Sequence, residues 1–215
     1  MQIDPILDDP KNSFLIVTPG ESTDVVIAVP HHAPLGITKL QCNRESDENA
    51  GFLGYYLSRL LNCYSVIACN YFLDANKYTD TDYYKKIADL KPKMLVEIHG
   101  HGNKNAHFDI EISSGREDRN FWSKEMEIRL QAILSNVPSL RGYNLSGDFE
   151  KIYFRATDSK TINTNKWVAF HIELPKLIRQ SKSQYILFCE LLAETIKSLL
   201  EDFDKISESH LQNTV

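Results

Sequence analysis

Met94-Leu95-Val96-Glu97-Ile98-His99-Gly100-His101-Gly102 decides how this chain is read. The near-continuous apolar run over 94–99 is what a strand covered on both faces requires. Glu97 and His99 interrupt it. Two residues apart on a strand, they share one face. Burying both among apolar neighbours is costly unless they are paired or bound to a metal. The glycines that follow remove side-chain bulk and let a backbone or a ligand approach closely. In open α/β sheets ligands bind beyond the carboxyl ends of the strands, so this one stretch points to both the architecture and the site.

The pattern extends outward as short apolar runs alternating with amphipathic stretches, which predicts α/β architecture in a single domain. Strands are expected at 14–17, 25–29, 66–70, 108–112 and 167–173, with a further one at 152–155. Helices are expected at 47–61, 79–90, 118–134 and 183–203. The acidic start of the first helix, at Glu45, Asp47 and Glu48, suits the positive end of a helix dipole. Thr79 or Asp80 would cap the second. The core runs from about 14 to 203, and the polar residues 204–215 read as a frayed tail.

Composition narrows the functional classes. With 215 residues the chain is long enough for one core without disulfide or metal staples. Lys+Arg is 24 against Asp+Glu 29, and this acidic balance argues against nucleic acid or an anionic membrane as partner. The four cysteines, Cys42, Cys63, Cys69 and Cys189, form no C-x-x-C pair, which disfavours a thiolate zinc cage and suits reduced thiols. The acidic, Pro-broken start is unlike a signal peptide, and no apolar run is long enough to cross a bilayer. A cytoplasmic location is the expectation.

Three further polar clusters fall at informative places. Val29-Pro30-His31-His32-Ala33-Pro34 runs a strand into paired histidines held between prolines. Arg44-Glu45-Ser46-Asp47-Glu48-Asn49 reads as helix capping, but beside a histidine pair one of its carboxylates can complete a His/carboxylate metal site. His171-Ile172-Glu173-Leu174-Pro175 places His171 and Glu173 on one face at a strand end, where a glutamate can serve as general base. Each also has a plain reading: a surface loop, a dipole-compensating cap, a salt-bridged edge. The sequence has no G-x-S-x-G elbow, no G-x-x-x-x-G-K-[ST] and no G-x-G-x-x-G, so serine-hydrolase and nucleotide signatures are missing.

The order Pro30-His31, a carboxylate at Asp47 or Glu48, Asp74-Ala75-Asn76-Lys77, Val96-Glu97-Ile98-His99-Gly100 and His171-Ile172-Glu173-Leu174 resembles that of the N-formylglutamate amidohydrolase family. These are relatives of the zinc carboxypeptidases and the acylamino-acid deacylases. The likeness covers about 25–175. It implies a central mixed sheet flanked by helices and one Zn²⁺ held by His31, His99 and either Asp47 or Glu48, with other divalent metals fitting similar sites. It further implies Glu173 as general base, Asn76 and Lys77 as a clamp for a substrate carboxylate, and hydrolysis of a small amide. Lys77 stands where the family has arginine, which replaces a planar fork by a point charge and puts the substrate in question. Arg155 is a further candidate toward the substrate. Glu97 is placed to orient His99, and His32, His101 and His171 are alternative ligands or proton donors. The competing reading is a metal- or ligand-binding protein without turnover.

Overall fold

The computed structural model describes residues 3–213. In chain order the elements are α1 (Asp4–Leu7), β1 (Phe14–Thr18), β2 (Ser22–Ala33), β3 (Asp47–Glu48), α2 (Ala50–Leu60), β4 (Cys63–Cys69), α3 (Asp82–Leu90), β5 (Met94–His101) and β6 (Ile110–Ser113). There follow α4 (Asn120–Leu134), β7 (Leu145–Ser146), β8 (Val168–Pro175), α5 (Lys176–Gln180), α6 (Lys182–Glu201) and α7 (Phe203–Asn213). The strands form one sheet in the order β1-β4-β2-β5-β8-β6-β7, with β3 added beside β2. The four central strands β4, β2, β5 and β8 run parallel, while β1 pairs antiparallel with β4 and β6 antiparallel with β8; β7 then runs parallel to β6. The sheet is thus mixed and flanked by helices, as expected.

Strand alternation divides the core into two layers. Val25, Ile27 and Val29 of β2, Met94, Val96 and Ile98 of β5, and Phe170, Ile172 and Leu174 of β8 pack with Leu53, Leu57, Trp122, Met126, Leu192 and Ile196 of α2, α4 and α6. Val26, Ala28, Leu95 and Ala169 face the other way, against Tyr83, Tyr84 and Ile87 of α3 and Trp167. This second layer is smaller. The polar residues of β5 and β8 lie on its side, because Glu97, His99 and His101 continue the face of Leu95, and His171 and Glu173 continue that of Ala169.

Several elements depart from the sequence expectation. Asp47 and Glu48 do not open a helix; they form β3, parallel to the end of β2 with His32 opposite Asp47. The acidic cluster resembles a helix start, but backbone pairing with β2 claims those two residues and α2 begins at Ala50. The strand expected at 152–155 is a loop. Thr81, not Thr79 or Asp80, caps α3, accepting from the Tyr84 amide at 3.1 Å. Residues 203–213 continue as α7 instead of fraying, whereas 214–215 of the expected tail lie outside the described residues. Pro175 ends β8 and leads directly into α5.

Candidate metal centre

Pro30 explains how a histidine reaches the site. It lacks an N–H and interrupts the ladder, so in a central strand it belongs at an irregularity. The β2–β5 pairing ends at Ala28–Glu97, and the β2–β4 register shifts between Val29 and His32. The shift reverses the alternation. His31 turns toward the smaller layer and the site. His32 turns toward α1 and α2, where its Nε2 lies 3.0 Å from the Leu7 carbonyl and its Nδ1 accepts from the Gly51 amide at 3.1 Å. A Cβ at position 51 would strike the His32 ring, so the glycine is needed for that contact. Burial pushes the His32 imidazole down to about 4. His32 is therefore a structural histidine, not an alternative ligand.

Three strand ends then bring His31, Asp47 and His99 together. The Asp47 Oδ2 is 3.4 Å from His31 Nδ1 and 3.1 Å from His99 Nδ1. This oxygen is buried and makes no hydrogen bond. One ligand atom from each of the three residues lies within 4.8 Å of the other two. The outer nitrogens are held from behind: His31 Nε2 lies 2.8 Å from Asp74, and His99 Nε2 lies 3.2 Å from Glu97. A carboxylate on each Nε2 favours the proton there and aims Nδ1 at the centre, where a metal would displace its proton and use the lone pair, as in histidines that ligate metals. The donor set of two imidazoles and one carboxylate fits zinc.

The carboxylates around the centre are tuned in opposite directions. Burial would raise Asp47, but His31 and His99 beside it outweigh burial and hold it far below the usual carboxylate range. Burial lowers His99, yet Asp47 and Glu97 raise it to about 10. Glu173, opposite His99 in the β5–β8 register, is pushed up to about 8, chiefly by burial. Its Oε1 is 3.4 Å from His171 Nε2, and its Oε2 is buried without a hydrogen bond. The His171 ring lies against that of His99 with centroids 4.0 Å apart, and burial and the His99 charge keep it well below its ordinary value. His99, His171 and Glu173 form a second group with ligand atoms in mutual reach.

The site opens into a cleft of about 920 Å³. Lys77, Lys39, Lys104 and Lys176 line it together with Arg44, which pairs with Asp74 at 2.9 Å. The structure separates Asp47 from Glu48: Glu48 lies 3.6 Å from Lys176 and outside the His31–Asp47–His99 group. Asn76 does border the cleft, but its side-chain amide donates to Glu97 at 3.3 Å. Arg155 also borders it, yet its guanidinium donates to the Glu150 and Ile152 carbonyls of its own loop. His101 Nε2 lies 2.9 Å from the Asp109 carbonyl and its Nδ1 accepts from the Asn103 amide, so it braces a loop and stays out of both groups.

Three residues of the site escape a reading by sequence. Asp74 stands in the quoted Asp-Ala-Asn-Lys run, which is the one signal for it. Glu111, within the strand expected at 108–112, is fully buried and accepts from the amides of His107, Phe108, Tyr153 and Phe154, joining two loops that frame the cleft. Arg179 is buried behind Gly100. All four cysteines are free, and burial raises Cys63 to about 12 and Cys69 and Cys189 still further, which removes thiolate chemistry from them at neutral pH. Among the described residues no helix is long and apolar enough to cross a membrane.

The mixed sheet with helices on both faces is similar to the fold of several solved structures. A bacteriophage poly-γ-glutamate hydrolase superposes with a TM-score of 0.60 at 13% identity, covering 88% of this chain and 90% of that one. The catalytic domain of an N-acetylmuramoyl-L-alanine amidase from Bacillus (Paenibacillus) polymyxa gives 0.53 at 13% identity, over 83% and 98%. A gene product of Agrobacterium tumefaciens gives 0.57 at 10% identity, over 92% and 100%. At these identities the likeness establishes the fold. No protein-family model matches the chain, and no curated protein matches it in sequence.

Proposed function

We propose that the chain is a metal-dependent hydrolase of amide bonds in small, carboxylate-bearing acyl-amino acids or peptides. The observation that carries this reading is the convergence of His31 Nδ1, His99 Nδ1 and Asp47 Oδ2, each imidazole backed by its own carboxylate. These three residues would hold one zinc or similar divalent ion. A bound zinc supplies Lewis acidity and activates water at neutral pH. Glu173 borders the cleft with an unpartnered Oε2; it takes the proton of the attacking water and returns it to the leaving nitrogen. His171, neutral at physiological pH, supports the other oxygen of Glu173. Lys77 and the neighbouring rim cations bind substrate carboxylates as point charges, which accommodates several anionic geometries where an arginine fork would select one. N-formyl- and N-acylglutamates and γ-glutamyl peptides are the substrates this rim favours, and the poly-γ-glutamate hydrolase among the structural neighbours belongs to the same chemistry.

Elemental analysis of protein purified without chelator or His tag tests the reading. About one zinc per chain is expected, and its loss in His31→Ala and His99→Ala with unchanged circular dichroism. Folded wild type that takes up no metal, even after zinc is added back, overturns the proposal. Bound zinc without hydrolysis across N-acylglutamates and γ-glutamyl peptides favours the non-catalytic binding reading, for which Lys77 in place of arginine already speaks.

A further inference from the structure

Arg179 is 1% exposed, a burial rare for an arginine. Its Nη1 donates to the Glu48 carbonyl at 2.5 Å, its Nη2 to the His101 carbonyl at 3.2 Å and its Nε to the Leu174 carbonyl at 3.2 Å. These acceptors sit at the ends of β3, β5 and β8. Each lies within two residues of a member of the centre: Glu48 follows Asp47, His101 is two beyond His99, and Leu174 follows Glu173. The guanidinium lies over Gly100, where any Cβ would collide with it. Among the described residues β3 is two residues long and pairs with β2 alone, so Asp47 has the least strand support of the three.

We propose that Arg179 is a positioning residue that fixes the three strand ends carrying Asp47, His99 and Glu173 at one mutual spacing, so that the centre is preformed for its metal. This rests on the metal-centre reading above. A planar guanidinium can satisfy three carbonyls in fixed directions, and a lysine ammonium cannot do so in the same geometry. It borders the cleft but is 1% exposed, and its guanidinium is committed to main-chain carbonyls, so it acts through the ligands. Outer partners of this kind govern metal affinity by about 10–100-fold.

The test measures zinc affinity by competition with a chromophoric chelator, and the visible spectrum of the Co²⁺-substituted protein, for wild type, Arg179→Met, Arg179→Lys and Gly100→Ala. Thermal melts of the metal-free proteins run alongside. The expected result is a 10–100-fold loss of affinity in Arg179→Met and Gly100→Ala, a smaller loss in Arg179→Lys, and a shifted Co²⁺ spectrum in all three variants while each remains folded. Wild-type affinity and spectrum in folded variants overturn the proposal and leave the metal reading intact. Variants that all fail to fold make Arg179 a folding residue and overturn it too. Absence of zinc binding in wild type overturns both readings together.

Discussion

Asp47 and Glu173 are both buried carboxylates within reach of His99, yet their proton affinities are shifted in opposite directions. Asp47 lies between two imidazoles and is held ionised. Glu173 has an oxygen within 4.8 Å of a His99 ring nitrogen, but burial and the negative Asp47 outweigh the help of His99, and it rises to about 8. The comparison shows how one sheet edge separates a ligand from a proton carrier. The ligand position has a partner for every charge. The proton-carrier position is left one cation short. Groups whose environments push their proton affinities apart are how a site divides acid and base roles.

The sharpest way to break this comparison is to remove the charge from each carboxylate in turn. Asp47→Asn keeps the shape and deletes the anion between His31 and His99. Metal content is expected to vanish, and kcat/KM to fall on the order of a thousandfold, because several kcal/mol of transition-state stabilisation leave with the ion. Glu48→Gln is the control, with metal retained, since Glu48 faces Lys176 instead. Equal loss in the two variants would put both carboxylates at the metal and undo the distinction.

Glu173→Gln follows with a loss confined to turnover. General acid–base groups contribute about 10²–10⁴ in rate, so kcat drops by that range while metal content and KM stay near wild type. Metal lost together with activity would move Glu173 from the proton-carrying side to the ligand side, into the group it forms with His99 and His171.

A third test separates the two adjacent histidines that end β2. His32 is buried, and its imidazole is held at about 4 against an ordinary value near 6.5. Above pH 6.5 it is neutral in both folded and unfolded chain, and its contribution to stability is complete. As pH falls from 6.5 toward 4 the unfolded chain takes up the proton first, and stability declines by about 1.4 kcal/mol per pH unit, about 3 kcal/mol in all. Below about 4 this contribution is gone. Urea unfolding of the metal-free protein across that range should show the slope, and His32→Asn, which keeps an acceptor for the Gly51 amide, should reduce it by one proton. An unchanged slope would place the acid sensitivity on His101 and His171.

What the sequence revealed and what it concealed follows from the range of the interactions. The apolar run of 94–98 and the shared face of Glu97 and His99 are local, and both appear as read. His31 was legible as part of a histidine pair held between prolines and through the family resemblance, although which of His31 and His32 turns inward depends on a register shift against β4. Asp47 was misread as a helix start because its strand partner is fifteen residues away at His32, and an acidic run carries the same pattern in either state. Arg179 was invisible: its acceptors come from three strands far apart in sequence, and on its own helix it is an ordinary cation. Gly100 was the one trace of it, a strand glycine whose missing side chain makes room for an approaching group that proves to be the guanidinium.

The smallest effect tests the rim that both poles share. Lys77 borders the cleft, and its charge lowers Asp74 behind His31 and also lowers His171 beside Glu173. It is partly exposed, so its worth toward a substrate carboxylate is that of a surface ion pair, at most about 1 kcal/mol. Lys77→Ala should raise KM for an N-acylglutamate up to about fivefold, with kcat little changed and the effect shrinking as salt is added. Lys77→Arg should lower KM for a single well-matched carboxylate and narrow the range of accepted substrates, because a fork selects geometry where a point charge does not. A fall in kcat with KM constant would show that Lys77 acts through Asp74 or His171 on the centre itself, and would join the rim to the poles that the comparison holds apart.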